Sequence, residues 1–166
     1  YEIAQCLVGS EMCIRDRSTE KLAIFRRRQI GLIYQFFNLI PTLNVEENIT
    51  LPCELDGQTV DKKRLDKLID ELGLNGRKTH LPEELSGGQQ QRVSIGRALI
   101  NRPAIVLADE PTGNLDKKNS DEIVELLRRA NQEYRQTIIM ITHNLEIAKT
   151  ADRVIVIEDG KIIREG

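Results

Sequence analysis

The stretch IVLADEPTGNLD, residues 105–116, decides how the rest of the chain is interpreted. Its first part is apolar at consecutive positions, which is typical of a strand that is covered on both faces of a parallel sheet. The run TIIMIT at residues 137–142 has the same character, and strands alternate with amphipathic helices through the second half. Such alternation is typical of βαβ units, so the sequence predicts an α/β fold with a parallel sheet flanked by helices.

Outward from this stretch, hydrophobic periodicity and terminator residues predict the other elements. A helix with a Ser or Thr cap is predicted over residues 18–29, then a short buried strand over residues 30–34 and a loop over residues 35–44. Further helices are predicted over residues 60–74, 87–102, 120–134 and 144–151, and strands over residues 104–109 and 153–158, the last leading into a hairpin turn. Two helices have a continuous apolar face, formed by Leu65, Leu68, Ile69 and Leu72 in one and by Ile123, Leu126, Leu127 and Ala130 in the other.

Composition limits the function classes. The 166 residues are 40% hydrophobic and 30% charged, enough for one domain with a core. The 24 Lys and Arg and 26 Asp and Glu give a net charge of −2, which argues against nucleic acid as a partner. The one tight basic cluster, Arg26 to Arg28, is interpreted as a solvated helix face. The three cysteines have no metal-binding spacing, and no run reaches the ~18 apolar residues of a membrane span.

Two motifs carry chemistry. The strand at residues 105–109 ends in adjacent carboxylates, of which Asp109 is suited to holding Mg²⁺ and Glu110 to polarising an attacking water. The segment LSGGQ, residues 85–89, opens a helix, and its glycines let the backbone approach an anion closely. Unpaired N–H groups and the positive dipole end of that helix favour a phosphate at the same place.

With these motifs the chain resembles the nucleotide-binding subunit of ATP-binding cassette (ABC) transporters over roughly residues 19–166. LSGGQQQR is similar to the family's signature motif, IVLADEP to its Walker B segment, and TGNLD to its D-loop, which ends at Asp116. THN places His143 at the switch histidine, and YQFFNL places Gln35 at the Q-loop glutamine. The motif sequences LADEPTGNLD and GQQQR are most similar to those of the bacterial branch that serves lipoprotein-release, macrolide-export and antimicrobial-peptide-resistance permeases.

The resemblance implies a P-loop NTPase-type (RecA-like) fold with an inserted helical subdomain at about residues 45–100. It implies an ATPase with ATP and Mg²⁺ as cofactors, in which Glu110 is the catalytic base and His143 contacts the γ-phosphate. Asp109 and Gln35 are the implied Mg²⁺ ligands. The signature residues that would contact the nucleotide of a second subunit are Leu85, Ser86, Gly87, Gly88 and Gln89.

The implied partners are a second nucleotide-binding subunit and an integral membrane permease, at the inner face of the cell membrane. The permease would be contacted through the stretch from Phe36 to Leu55. Phe36, Phe37 and Leu39 are either anchors for that contact or a small buried core. Two alternatives remain open: a soluble ABC-type ATPase of cell division or nucleic-acid processing, and a non-catalytic fragment.

One element that the resemblance implies is missing from the sequence. A P-loop requires G-x-x-x-x-G-K-[ST], and the only Gly-Lys pair, at Gly160, has neither the first glycine nor the Ser or Thr. We therefore expect residues 18–166 to be a nucleotide-binding domain truncated at its N-terminus, without the first strand and the P-loop. Residues 1–17 contain CLVGSEMCIRDR, which resembles translated sequencing adapter, and are expected to be non-native and poorly ordered.

The missing segment has a consequence for folding. In the family's usual sheet the P-loop strand lies between the strand before the switch histidine and the strand after it. Here those are TIIMIT and RVIVIE. Without their shared neighbour both strands lose a pairing partner, so the isolated chain is expected to be marginally stable and prone to aggregation.

Overall fold

A computed structural model describes residues 18–165, and its centre is a three-stranded parallel sheet in the order β1-β2-β3. The strands are β1 (Ile30–Ile33), β2 (Ile105–Asp109) and β3 (Thr137–Ile141). Their register is continuous, because Leu32 pairs with Leu107, and Leu107 pairs with Ile139. The α/β class predicted from the alternating pattern is confirmed. The expectation for residues 1–17 lies outside the described residues.

The helices begin and end close to the positions that the sequence predicts. In chain order they are α1 (Thr19–Gln29), α2 (Val45–Glu54), α3 (Lys62–Glu71), α4 (Gly87–Leu99), α5 (Lys117–Tyr134) and α6 (Leu145–Ala148), with short 3₁₀ turns at Asn75–Arg77 and Pro82–Glu84. The predicted Ser18 cap of α1 is confirmed, since its side chain accepts a hydrogen bond from the Lys21 N–H. No helix within residues 18–165 is long and apolar enough to cross a bilayer.

Helix α2 is the element that the sequence analysis did not identify. A capping box starts it: the Asn44 side chain accepts from the Glu47 N–H, and the Glu47 carboxylate accepts from the Asn44 N–H. The Asn-x-x-Glu spacing could have revealed this start. Pro52 lies within the helix and reduces its helical signal.

One core joins the sheet to the helices. Ile33, Val106 and Ala108 point from the sheet into it and are at most 1% exposed. Both predicted apolar faces contribute, with Leu126 only partly buried and the others buried. Gly31 allows α4 to approach the sheet, because a Cβ there would lie 2.7 Å from the Ala98 carbonyl oxygen.

Among residues 18–165, the central side chains on the opposite face of the sheet are exposed. Leu32, Leu107 and Ile139, which lie side by side across the three strands, are 42%, 37% and 42% exposed. The prediction that these apolar strands are covered on both faces is therefore wrong for the described residues. The reason is that α4 and α5 share a single core on the other face.

The end of the chain forms a separate hairpin from β4 (Ile155–Glu158) and β5 (Lys161–Glu165). Asp159 and Gly160 take positive φ angles of 47° and 73°, as a two-residue hairpin turn requires, so the predicted turn is confirmed. Within residues 18–165, β3 pairs only with β2. Among these residues β3 therefore lies at the edge of the sheet.

The arginine cluster of α1 is not simply solvated. Arg28 Nε donates to Asp56 at 2.7 Å, and Arg27 donates to Asp56 and to the Leu55 carbonyl oxygen. These bonds hold the pKa of the Asp56 carboxyl below its usual value. Arg26, which is exposed, is the only one of the three arginines without such a contact to residues 18–165. The bonds of Arg27 and Arg28 fasten the end of α1 to the end of α2.

Candidate functional site

Three residues from distant parts of the sequence meet where the parallel strands end. Gln35 follows β1, Glu110 follows β2 and His143 follows β3. The carboxyl ends of parallel strands lie at one edge of a sheet, which is where ligands bind in open α/β folds. The structure brings all three predicted positions to this edge.

Glu110 and His143 are in direct contact. Glu110 Oε1 accepts from the His143 backbone N–H at 2.9 Å and lies 2.7 Å from the imidazole Nδ1. An ionised carboxylate only accepts, so Nδ1 carries the proton and Nε2 is left for another partner. The His143 side chain is 83% exposed and that of Glu110 is 19% exposed, so the pair faces solvent.

The backbone aims the Glu110 carboxylate. Glu110 has a φ of 43°, which is uncommon for a residue other than glycine. Its N–H donates to the Ile141 carbonyl oxygen at 2.9 Å, which fixes this strained residue to the end of β3. Local strain of this kind is concentrated at functional sites. Glu110 Oε2 makes no hydrogen bond to the described residues and can accept one from water.

Gln35 is held against the turn that follows Glu110. Its Nε2 donates to Asn114 Oδ1 at 3.3 Å, and Asn114 Nδ2 donates back to the Gln35 carbonyl oxygen at 3.1 Å. A Cβ at Gly113 would come within 2.8 Å of Gln35 Nε2, so glycine makes this contact possible. Asn114 was not identified from the sequence, although it lies within TGNLD.

The signature segment begins α4 through reciprocal capping. The Ser86 hydroxyl accepts from the Gln89 N–H at 3.4 Å, and the Ser86 N–H donates to the Gln89 side chain at 2.9 Å. Ser86 and Gly87 are exposed, whereas Leu85 and Gly88 are buried. The exposed hydroxyl proton and the first amides of α4 are therefore available to an anion.

Gly88 allows the close approach of α4 to α5, whereas a Cβ at Gly87 would make only ordinary contacts. A Cβ on Gly88 would lie 2.5 Å from Asn119 Oδ1, and one on Gly87 would contact Phe37 and Leu115. Asn119 is also bound to Asp116, which accepts from its backbone N–H at 2.8 Å and from its side chain at 2.7 Å. Asp116 thus caps α5, and the Asn119 bonds lower the pKa of its carboxyl.

The predicted Mg²⁺ ligands, Asp109 and Gln35, have side-chain oxygens of the kind that this ion binds. Asp109 is exposed at the end of β2, and its carboxylate has no hydrogen bond or ion pair with the described residues. Gln35 Oε1 is also without a hydrogen bond to them. No group of three or more His, Cys, Asp or Glu side chains in residues 18–165 is arranged so that it could hold a metal ion. One carboxylate and one amide oxygen fit Mg²⁺, which keeps several waters and binds substrate phosphates.

Two polar side chains of α4, one buried and one half-buried, hold the loop after β1, and the sequence analysis did not identify them. Gln91 is fully buried and donates to the Pro111 carbonyl oxygen at 2.7 Å and to that of Tyr34 at 3.4 Å. Arg97 donates to the Phe37 and Asn38 carbonyl oxygens at 3.0 and 2.6 Å, and burial lowers the pKa of its guanidinium. Their only sequence signal is that polar residues recur within an otherwise apolar helix.

The three candidate anchors of the loop after β1 differ in exposure: one could contact a permease, and two are at least partly packed within the domain. Phe36 is 70% exposed, Phe37 lies near Gly87 beneath the signature segment, and Leu39 packs against the core. Only Phe36 is therefore free to meet a partner with most of its ring. Ile40, at 40% exposed, lies nearby in the chain.

Comparisons with known proteins identify the family of the chain. Residues 7–113 match the model of the family described as ABC transporter. The chain is 43% identical over 161 residues to the uncharacterized ABC transporter ATP-binding protein YbbA of Escherichia coli K12, covering 96% of this chain and 70% of YbbA. It is 44% identical over 149 residues to the macrolide export ATP-binding/permease protein MacB of Rhodopirellula baltica, covering 87% of this chain and 22% of that protein.

A relative from Mycobacterium tuberculosis strain H37Rv, an uncharacterized ABC transporter ATP-binding protein, is 45% identical over 152 residues. The match covers 90% of this chain and 61% of that relative's length. Among solved structures, the dimeric post-hydrolysis state of the ATP-binding cassette MJ0796 bound to ADP and Pi superposes with a TM-score of 0.81. That match has 37% identity and covers 95% of this chain and 71% of MJ0796. The P-loop NTPase-type fold is confirmed, and the chain belongs to the ABC transporter family.

Proposed function

We propose that the chain is the ATP-binding and ATP-hydrolysing subunit of a bacterial ABC transporter, which drives a membrane permease through ATP-dependent dimerisation. The observation that carries the proposal is the meeting of Gln35, Glu110 and His143 at the carboxyl edge of the sheet. A family relative solved with ADP and Pi supports a nucleotide as the ligand.

In a subunit that also supplies a P-loop, each residue at this edge has a distinct task in phosphoryl transfer to water, which depends on positioning and charge stabilisation. Glu110 accepts the water proton through Oε2, because Oε1 is already occupied by His143. His143 holds that carboxylate in place through Nδ1, and in its imidazolium form it can also donate from Nε2–H to the γ-phosphate. Asp109 and Gln35 hold Mg²⁺, which neutralises charge on the phosphates when bound.

The signature segment serves the other subunit. Ser86 and Gly87 are exposed, so the N-terminal end of α4 can border a nucleotide that is bound to a partner. The 166 residues contain no P-loop motif, so this chain has no glycine-rich cradle for the phosphates facing Glu110. In a dimer with an intact subunit, this chain therefore completes the partner's site through Ser86 to Gln89.

The permease contact is assigned to the stretch from Phe36 to Leu55. Its exposed apolar side chains include Phe36 at 70% and Leu55 at 61%. Arg97 and Gln91 connect this loop to α4, so a displacement of the loop reaches the signature segment. The exposed apolar loop supports our proposal that the subunit works at the inner face of the cell membrane, beside a permease.

The decisive experiment pairs this chain with an intact relative whose own signature serine is replaced by arginine. Homodimers of that relative cannot close either site, and the 166-residue chain alone has no P-loop. We expect the mixture to hydrolyse Mg-ATP, because this chain lends its signature segment to the relative's P-loop. Ser86→Arg in this chain should abolish the rescued activity.

Glu110→Gln is the matched control, since Glu110 faces the half-site without a P-loop. The rescued activity should survive this change. Loss of activity with Glu110→Gln, or its survival with Ser86→Arg, would contradict the proposed division of labour. Strong Mg²⁺-dependent turnover by the purified chain alone would also contradict it.

A further inference from the structure

A cavity lies at the opposite edge of the sheet from the candidate site, near the amino ends of β1 and β2. Its volume is about 310 Å³, at the lower end of the range for small-molecule sites. The end of α1, the end of α2, the start of α3 and the segment after α4 surround it. The residues that matter here are Arg28, Asp61, Arg64 and Arg102.

Two of these arginines have no carboxylate partner. Arg28 is paired with Asp56, but neither Arg64 nor Arg102 forms an ion pair with any residue in the described range 18–165. The one hydrogen bond of Arg64 within that range is to the Leu99 carbonyl oxygen, at 3.3 Å. Most guanidinium donors at the cavity are therefore available to a ligand.

The two free guanidiniums are close enough to repel each other. Both line the 310 Å³ cavity and also a smaller neighbouring one of about 50 Å³. Burial and then the charge of Arg102 lower the pKa of Arg64. Elsewhere the chain pairs arginines with nearby carboxylates, as in Arg92 with Glu122. Two neighbouring cations that form no ion pair favour the binding of an anion, and the Asp61 carboxylate on the same cavity offsets only part of their charge.

We propose that this cavity binds a small phosphate-bearing anion, whose oxygens bridge Arg64 and Arg102. The planar fork of arginine matches phosphate oxygens, and a phosphate monoester carries close to two negative charges at neutral pH. That charge matches the guanidinium pair better than the single charge of a carboxylate does. The remaining volume accommodates the organic group that bears the phosphate.

The test measures binding of glycerol 3-phosphate to the purified 166-residue chain by calorimetry. Arg102→Asn removes one guanidinium at a residue whose φ is 48°, a conformation that asparagine tolerates well. We expect this variant to bind at least about tenfold more weakly, the loss of a charge-assisted contact. Arg135→Asn is the control, because Arg135 has a φ of 52° and lies outside both cavity linings.

Asp61→Asn gives a change in the opposite direction. Asp61 caps α3 by accepting from the Lys63 N–H, and asparagine keeps that cap. Removing its negative charge from the cavity should tighten binding, by about fivefold at most for a charge in contact with water. Circular dichroism of each variant verifies that the fold is retained.

Vesicles containing phosphatidylglycerol distinguish a lipid headgroup from a free phosphate compound. Binding of either probe supports the proposal if Arg102→Asn weakens that binding and Arg135→Asn does not. Binding of glycerol 3-phosphate indicates a free phosphate compound, and binding of the vesicles without it indicates a lipid headgroup. Equal weakening by both variants would show general attraction of anions and overturn the proposal. Absence of binding to both probes would overturn it as well.

Discussion

Asn48 is the side chain that fixes the loop in front of α2. It is fully buried and makes four hydrogen bonds. Its Nδ2 donates to the carbonyl oxygens of Ile40, Leu43 and Asn44 at 3.1, 2.7 and 3.0 Å, and its Oδ1 accepts from the Ile40 N–H at 2.8 Å. We predict that Asn48→Ala destabilises the protein and loosens the proposed permease contact.

The expected loss in the free energy of unfolding follows from the backbone groups that Asn48→Ala would leave without a hydrogen-bond partner. The Ile40 carbonyl still accepts from the Leu43 N–H, and the Asn44 carbonyl still accepts from the Asn48 N–H. Only the Ile40 N–H and the Leu43 carbonyl lose their protein partner. At about 1–1.5 kcal/mol for each group, the free energy of unfolding should fall by about 2–3 kcal/mol. Asn48→Asp should cost more, because a carboxylate would face the Leu43 carbonyl.

Urea denaturation followed by circular dichroism measures this change, since the chain contains no tryptophan. Hydrogen exchange at the Ile40 amide reports the loop directly. Asn131→Ala is the control, because Asn131 makes one hydrogen bond to the Gln136 carbonyl and should cost only about 1 kcal/mol. An Asn48→Asp variant as stable as the wild type would refute the reasoning.

Three further predictions concern the packing, the charge pairs and the open sheet edge. Gly31→Ala should destabilise the protein by about 1–3 kcal/mol in urea denaturation, because its Cβ would strike a backbone carbonyl of α4. Gly76→Ala, with nothing within 4 Å, should be nearly neutral, and equal effects would contradict this account. The arginines of α1 lower the pKa of Asp56, so its stabilising contribution is present above about pH 4 and is lost as the pH falls through the lowered pKa. The difference in unfolding midpoint between wild type and Asp56→Asn should therefore shrink from pH 6 to pH 3, and a constant difference would contradict it. Ile141→Lys, at a 62% exposed edge position, should raise the soluble fraction measured by sedimentation, whereas Leu145→Lys, 73% exposed outside the sheet, should not.

The functional positions were predictable because short motifs carry them. Asp109, Glu110 and the residues from Leu85 to Gln89 lie in contiguous segments whose chemistry depends on local order. A strand followed by polar residues also predicts the edge of the sheet at which they lie. Their roles toward a nucleotide remain proposals, while their positions in the fold agree with the expectation.

The contacts between motifs were not predictable, because they join residues far apart in the chain. Gln35 and Asn114 are 79 residues apart, and Arg97 and Asn38 are 59 apart. A buried arginine or glutamine has no periodic signature, since its identity is set by carbonyl groups that only folding brings near. The pairing of Arg27 and Arg28 with Asp56 was misread as solvation for the same reason.

The sequence by itself determined the α/β class, the Ser18 cap of α1 and the family, because these follow from local periodicity and from contiguous motifs. Tertiary structure alone decided which sheet face is covered. An apolar strand such as β3 has the same sequence pattern whether one face or both faces are packed. Its burial depends on which helices share its side of the sheet, and α4 and α5 share only one.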